Sequence, residues 1–149
     1  MLERLNEAIL FLQTCDDDPR LKQAHLGNAL ASIKAATGEL SWVGLYLATP
    51  ADLILGPFQG THACEVIRFG KGVVGTCFSK GETIAVEDVS LFPGYICCDA
   101  SAKSEICVPL RQGDKIVAIL DIDLPVLHRF SQEEISRFEE IAAYLPRFL

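Results

Sequence analysis

The chain has 149 residues, of which 50% are apolar and 22% are charged, a balance that indicates a folded globular chain rather than a disordered one. Its formal net charge of −7 argues against binding to nucleic acid or anionic lipid, because both need clustered lysine and arginine. The N-terminal stretch lacks the basic region of a secretory signal and no apolar run is long enough to span a bilayer, so we expect a cytoplasmic protein.

Two helices are predicted at the start of the chain. The three aspartates at 16–18 before Pro19 predict the start of the second helix, because proline is tolerated in a first turn. Gly38 is expected to end that helix. The first helix is indicated by apolar residues at helical spacing, namely Leu2, Leu5, Ile9 and Leu12.

Residues 41–48 alternate and predict a strand, and residues 53–58 predict a second strand that pairs with it as an antiparallel hairpin. On one face of the first strand two aromatic rings, Trp42 and Tyr46, flank Gly44, so we expect that face to be open at its middle. Packing of both rings beneath a helix is the alternative interpretation. The opposite, core-facing side carries Val43, Leu45 and Leu47.

Shorter elements follow. We predict a helix over residues 73–79, a strand over 83–86, and a loop over 90–102 that turns at Pro93–Gly94. The glycine-rich stretch before that helix lacks the spacing of a phosphate-binding loop.

Residues 104–110 and 115–124 predict a second hairpin. One face of its second strand ends in Asp121 and Asp123. The other face is predicted to be apolar throughout, with Ile116, Ala118, Leu120, Ile122 and Leu124.

The order of the elements predicts an α+β fold, a central antiparallel sheet with N- and C-terminal helices packed on it, because no βαβ alternation is present. Ser131 and Glu134 form the capping-box pattern at the start of the last helix. We expect one domain over residues 1–149, with N-terminal helices in 1–38, the sheet and its loops in 41–124, and a C-terminal helix in 131–147.

The second hairpin is expected to gather carboxylates. Its turn places Glu105 opposite residues 120–122, so Glu105, Asp121 and Asp123 converge if the register and face agree. Repulsion and desolvation would raise their pKa values, so one acid could donate a proton while the remaining charge binds an ammonium group. The alternative is that these acids are solvated edge residues or pair with lysine and arginine.

The thiols divide into two groups. Cys98, with Cys97 beside it, lies in the loop after the Pro-Gly turn, and Cys64 could meet that loop in space. A thiolate that attacks an oxidised substrate becomes a sulfenic acid, which condenses with a second thiol to a disulfide. The other cysteines fall in apolar patterns and are expected to pack in the core: Cys15, Cys77 and Cys107.

Four segments together resemble the free methionine-(R)-sulfoxide reductases, which are built on a stand-alone GAF domain. They are WVGLYL, GPFQGTHACEVIRFGKGVVGT, FPGYICCDASAKSEICVPL and ILDID, and the resemblance runs from about Trp42 to Phe130. It implies reduction of free L-methionine (R)-S-oxide with Cys98 as the catalytic thiol and Cys64 as the resolving thiol. It also implies that Glu105 and Asp123 activate the sulfoxide. The implied substrate-binding residues are Trp42, Tyr46, Glu105, Asp121 and Asp123.

The resemblance further implies a recycling partner. Thioredoxin, recharged by NADPH, would reduce the disulfide, no cofactor would be bound, and the chain could form a homodimer. Two positions depart from the family pattern. Val74 stands where a further cysteine is common, so Cys64 would resolve alone. Cys77, three residues on, could replace the missing cysteine only if its side chain reaches the site. Cys97 stands where a small residue is common and is expected to be a bystander.

There are two other candidate functions, and one of them is compatible with the sequence. A GAF module that binds a small ligand or senses redox state, without catalysis, would also explain the fold and the reactive thiols. A structural metal site is disfavoured, because no C-x-x-C motif occurs and the histidines are scattered at His25, His62 and His128.

Overall fold

The computed structural model describes residues 1–98 and 100–149; Asp99, part of the predicted loop over 90–102, lies outside the described residues. The helices are α1 (Leu2–Thr14), α2 (Lys22–Thr37), α3 (Gly72–Lys80) and α4 (Gln132–Tyr144). The strands are β1 (Trp42–Ala48), β2 (Asp52–Gln59), β3 (Val66–Arg68), β4 (Ile84–Val86), β5 (Ser104–Gln112) and β6 (Lys115–Leu124). Short 3-10 turns cover Val89–Leu91 and Leu145–Phe148.

The strands form one six-stranded sheet in the order β3-β2-β1-β6-β5-β4, and every neighbouring pair is antiparallel. The α+β prediction is therefore confirmed. Strand β3 was not predicted, because its three residues hold only one buried side chain, Ile67, and its pairing with β2 is not visible in a local pattern.

Each face of the sheet carries its own apolar core. On one face α1, α2 and α4 pack over residues such as Val43 and Leu120. On the other face α3 and the loops pack over Trp42, Tyr46 and Ile119. The predicted alternation of β1 is thus confirmed. Within the described ranges, no helix is both long and apolar enough to cross a membrane.

Two predicted helix ends are confirmed. Gly38 ends α2 with a φ of 107°, and its N–H donates to the Lys34 carbonyl. Ser131 and Glu134 form the complete capping box at the start of α4. The predicted start of α2 at Pro19 is wrong, because α2 begins at Lys22.

The aspartates before α2 form a turn instead of a helical first turn. The Asp18 N–H donates to the Asp16 carboxylate at 3.1 Å, and the Arg20 N–H donates to the Asp18 carboxylate at 2.9 Å. Aspartate side chains compete for nearby backbone donors in this way, which favours a turn over a helix. The helix therefore starts only after the turn closes.

A β-bulge at Val117 changes the predicted faces of β6. Leu110 pairs with Ala118 and Arg111 with Ile116, so Val117 is the extra residue. Ile116 consequently packs with the α3-side core and Val117 with the opposite core, and the prediction that the apolar face runs unbroken from Ile116 is wrong. The bulge also shifts the register of every residue further along the hairpin.

Candidate active site

The α3 side of the sheet carries an array of polar and aromatic side chains from three adjacent strands. Glu105 on β5 lies opposite Asp123 on β6, and Cys107 lies opposite Asp121. On the other side of β6, Trp42 lies opposite Asp123 and Gly44 opposite Asp121. The prediction that Glu105 faces residues 120–122 is wrong, because of the bulge at Val117. The convergence of the three acids is nevertheless present, since all three line one cavity.

Two of these acids are buried, which excludes the alternative that they are solvated edge residues. The exposed fractions of Glu105 and Asp121 are 4% and 5%. Burial, followed by the negative charge of Asp123, raises the pKa of Glu105 to about 8. Burial, followed by the charge of Glu105, raises the pKa of Asp121 well above its ordinary range. At neutral pH this cluster therefore retains protons that it could donate.

These raised pKa values predict that the protein loses stability as pH rises. The pKa of Glu105 is about 8 in the folded chain against an ordinary 4.5. Between these pH values the folded protein keeps a proton that the unfolded chain has released. The free energy of unfolding therefore falls as the pH rises from about 4.5 to about 8. The slope for one proton is at most about 1.4 kcal/mol per pH unit. Denaturant titrations from pH 5 to 8 should show a shallower decline for Glu105→Gln than for wild type. An equal slope in Glu105→Gln and in the exposed control Glu87→Gln would contradict the assignment.

Cys107 belongs to this cluster, although its apolar sequence pattern predicted only core packing. Its thiol lies 3.2 Å from Glu105 Oε1 and 3.4 Å from Asp121 Oδ1. A sequence signal did exist: residues two apart on a strand share a face, and Cys107 is two residues from Glu105. Cys15 and Cys77 are buried as predicted.

The two aromatic residues of β1 hold the segment that carries Cys64. The Trp42 Nε1–H donates to the Thr61 carbonyl at 2.9 Å, and the Tyr46 hydroxyl donates to the Cys64 carbonyl at 2.9 Å. The two ring centroids are 6.1 Å apart, and Phe58 stacks on Trp42 at 5.4 Å. Both rings are thus fixed by neighbours as well as by the strand.

The prediction that this face of β1 is open at Gly44 is wrong. The Trp42 ring occupies the space that a Cβ atom at Gly44 or Gly60 would fill. Gly60 also has a φ of 148°, which disfavours other residues. The two glycines therefore let the indole lie flat against the backbone. Tyr46 lines the cavity, whereas Trp42 is not among the described residues that do so.

Cys64 and Cys98 are joined by a disulfide, with their Cα atoms 5.3 Å apart. This is the pairing that the resemblance implied, and it is confirmed. Cys97 is free and exposed, and Cys77 is free and buried in α3. Neither lies in the disulfide.

A small cavity of about 20 Å³ connects the disulfide with the acids. Cys98, Tyr46 and Tyr95 contribute to its wall together with the three carboxylates. The first turn of α3, from Lys71 to Val74, forms a further wall. Burial raises the pKa of the Tyr46 and Tyr95 hydroxyls above their ordinary range, so both are neutral hydrogen-bonding groups. The cavity therefore combines an acidic wall, a neutral hydroxyl pair and the positive end of a helix.

One cluster among the described residues has the composition of a possible metal site, since atoms of Glu105, Cys107 and Asp121 lie within 4.8 Å of one another. Metal binding requires a thiolate. Burial raises the pKa of the Cys107 thiol well above its ordinary range, and neighbouring carboxylates raise it further. We therefore interpret the cluster as a hydrogen-bonded network of acids and a thiol.

Comparison with known proteins places the chain in a class and then in a family. A family model described as GAF domain matches residues 19–147. The chain is 39% identical to the free methionine-R-sulfoxide reductase of Escherichia coli, over 85% of this chain and 76% of that protein. It is 37% identical to the enzyme of the same name from Saccharomyces cerevisiae, over 97% of this chain and 85% of that one.

A solved structure gives the same result. The free methionine-R-sulfoxide reductase of Neisseria meningitidis, in complex with its substrate, superimposes with a TM-score of 0.84 at 35% identity, over 97% of this chain and 85% of that one. The fold and the matched residues define a GAF domain. The chain belongs to the free methionine-R-sulfoxide reductase family.

Proposed function

We propose that this protein reduces free L-methionine (R)-S-oxide to L-methionine by thiol chemistry. The observation that carries the proposal is the Cys64–Cys98 disulfide at a cavity that Cys98 lines together with three carboxyl groups. The family provides the substrate class, because relatives of this chain carry that activity in their names. A redox pair beside proton donors is what sulfoxide reduction requires.

The walls of the cavity suit a free amino acid. The acidic wall of Glu105, Asp121 and Asp123 would bind the ammonium group, and the start of α3 at Lys71–Val74 would favour the carboxylate. Tyr46, with Trp42 stacked beside it, would contact the methyl-sulfoxide end. A methionine sulfoxide within a polypeptide has an amide in place of the ammonium, so the same pocket would reject it.

The proposed reaction begins with attack of the Cys98 thiolate on the sulfoxide sulfur. Glu105, assisted by Asp123, donates a proton to the sulfoxide oxygen, and the oxygen passes to Cys98 as a sulfenic acid while methionine leaves. The Cys64 thiol then attacks the Cys98 sulfur, forming the disulfide and releasing water. A dithiol of the thioredoxin type reduces this disulfide and is itself oxidised, with NADPH as the final electron source.

Substrate would enter the reduced form of the protein. A cavity of about 20 Å³ accommodates about one water molecule, which is far less than an amino acid needs. Reduction frees the loop around Cys98 from Cys64 and would allow the pocket to widen. Activity in the cytoplasm and assembly as a homodimer stay predictions.

Cys64→Ser tests the proposed disulfide step. With thioredoxin as reductant, we expect about one methionine per protein, because the sulfenic acid at Cys98 lacks an intramolecular partner thiol. Rapid-quench measurement of methionine would show a single burst and no steady state. Cys77→Ser serves as the control and should turn over normally. Normal recycling of Cys64→Ser by thioredoxin would contradict the step.

The proposal as a whole is tested by methionine release from racemic free methionine sulfoxide with dithiothreitol as reductant. We expect release to stop when about half of the racemate is consumed, because one epimer is used. A ligand-binding or redox-sensing GAF module would release no methionine. That result, obtained with folded and reduced protein, would overturn the proposal.

A further inference from the structure

Cys107 is a buried thiol for which the proposed reaction has no step. It is fully buried on β5, directly opposite Asp121 on β6. Its sulfur lies 3.2 Å from Glu105 Oε1 and 3.4 Å from Asp121 Oδ1. It therefore contacts both buried acids of the cavity at once, although it is not itself among the described residues that line the cavity.

The thiol acts in this position as a neutral hydrogen-bond donor. Burial, followed by the charges of Asp121 and Glu105, raises the pKa of Cys107 well above its ordinary range, so the proton stays on sulfur. An S–H group can donate to either carboxyl group without adding charge to a site that already holds three acids. An apolar side chain of the same size would fill the space and leave Glu105 with one donor fewer.

We propose that Cys107 is a positioning residue of the reaction, whose thiol holds the carboxyl groups of Glu105 and Asp121 side by side and facing the cavity. This inference rests on the proposed function of the site. Held in this way, the pair presents one surface to the substrate ammonium, and Glu105 is kept in a fixed orientation for proton transfer. Loss of the donor would also disfavour the ionised form of Glu105, since a hydrogen bond to a carboxylate stabilises its charge.

Other titratable groups face the carboxyl groups of Glu105 and Asp121, so a test must distinguish their effects from the effect of Cys107. Asp123 lies opposite Glu105, Tyr46 lines the cavity from β1, and Tyr95 and Lys71 line it from the loop and the start of α3. Cys77 on α3 packs in the same apolar core as Cys107. Cys77 is buried and free like Cys107. Within the described part of the chain, the thiol hydrogen bonds to Glu105 and Asp121 come from Cys107, so Cys77 provides a matched control.

The decisive experiment compares Cys107→Val, Cys107→Ser and Cys77→Val as reduced proteins without substrate. Infrared spectroscopy follows the band of protonated carboxyl groups from pH 5 to 10, and the Glu105→Gln spectrum identifies the Glu105 band. In Cys107→Val the Glu105 midpoint should move upward by about half a pH unit or more, as expected for a lost hydrogen bond. Cys107→Ser should restore the wild-type midpoint or lower it, because a hydroxyl also donates. Cys77→Val should leave it unchanged.

A kinetic readout tests the same inference in the reaction. The alkaline limb of kcat for free methionine sulfoxide, which depends on protonated Glu105, should move upward in Cys107→Val by the same amount, while Cys107→Ser and Cys77→Val should follow wild type. If wild type does not reduce methionine sulfoxide, the proposed function fails, but the infrared titration still decides whether Cys107 binds the acids. Coinciding titrations of Cys107→Val and Cys77→Val would overturn the inference.

A measurement on the unaltered thiol covers the case in which Cys107→Val does not fold. The S–H stretching band that Cys107→Ser removes belongs to Cys107. At pH 10, where Glu105 is ionised, that band should shift to higher frequency in Glu105→Gln, because an amide oxygen is a weaker acceptor than a carboxylate. An unshifted band would mean that the thiol only fills space.

Discussion

Cys98→Ser is expected to abolish methionine formation with either dithiothreitol or thioredoxin. A serine hydroxyl is a far weaker nucleophile than a thiolate toward the sulfoxide sulfur, and it cannot carry the oxygen away as a sulfenic acid. Among the described residues that line the cavity with the three acids, Cys98 is the only cysteine. Chromatographic measurement of methionine over many hours would detect any residual turnover.

The neighbouring cysteine provides the control for this variant. Cys97 is exposed and takes no part in the disulfide, so Cys97→Ser should keep the wild-type rate. If Cys98→Ser still forms methionine and the double variant Cys97→Ser/Cys98→Ser does not, then Cys97 rather than Cys98 is the catalytic thiol. Full activity of the single variant Cys98→Ser would contradict the proposed thiol mechanism.

Glu105→Gln is expected to reduce kcat by about 10²–10⁴-fold, the usual contribution of a general acid. The amide keeps the size of the side chain but cannot transfer the proton that the buried carboxyl group holds near neutral pH. Its pKa of about 8 means that in wild type the proton-donating form persists through neutrality and is lost in the alkaline range. Steady-state kinetics over pH 6–9 should therefore show a falling alkaline limb in wild type that Glu105→Gln lacks.

A matched glutamate controls for the loss of charge alone. Glu87 is solvent-exposed in an ion pair with Arg129, and Glu87→Gln should leave kcat within about twofold of wild type, as surface ion pairs contribute little. If Glu105→Gln retains its kcat and Asp123→Asn loses it, then Asp123 rather than Glu105 donates the proton. Binding of the ammonium would then be the main role of Glu105.

Features with a local cause could be predicted from the sequence. The glycine at 38 ends α2, the capping box starts α4, and the alternation of β1 separates Val43 from Trp42 on opposite faces. Each depends on residues within a few positions of one another. By contrast, strand β3 exists only because β2 offers it an edge to pair with, and its own three residues give no such signal.

The detailed arrangement of the site depends on contacts between distant residues and was only partly predictable. The bulge at Val117 decides that Glu105 faces Asp123, and no turn signal in the hairpin indicates it. The indole of Trp42 fills the space beside Gly44 because Gly60, from another segment, leaves room for it. Cys107 reads as an apolar strand residue until the register places it against Asp121. The pairing of Cys64 with Cys98 was implied by family resemblance and not by spacing.

The most direct test of the account is NADPH consumption with thioredoxin and thioredoxin reductase, supplied with the two epimers of free methionine sulfoxide in separate reactions. The account predicts turnover with the (R)-epimer, none with the (S)-epimer, and none with a peptide that contains methionine sulfoxide. Equal rates with both epimers, or no rate with either in folded and reduced protein, would contradict it.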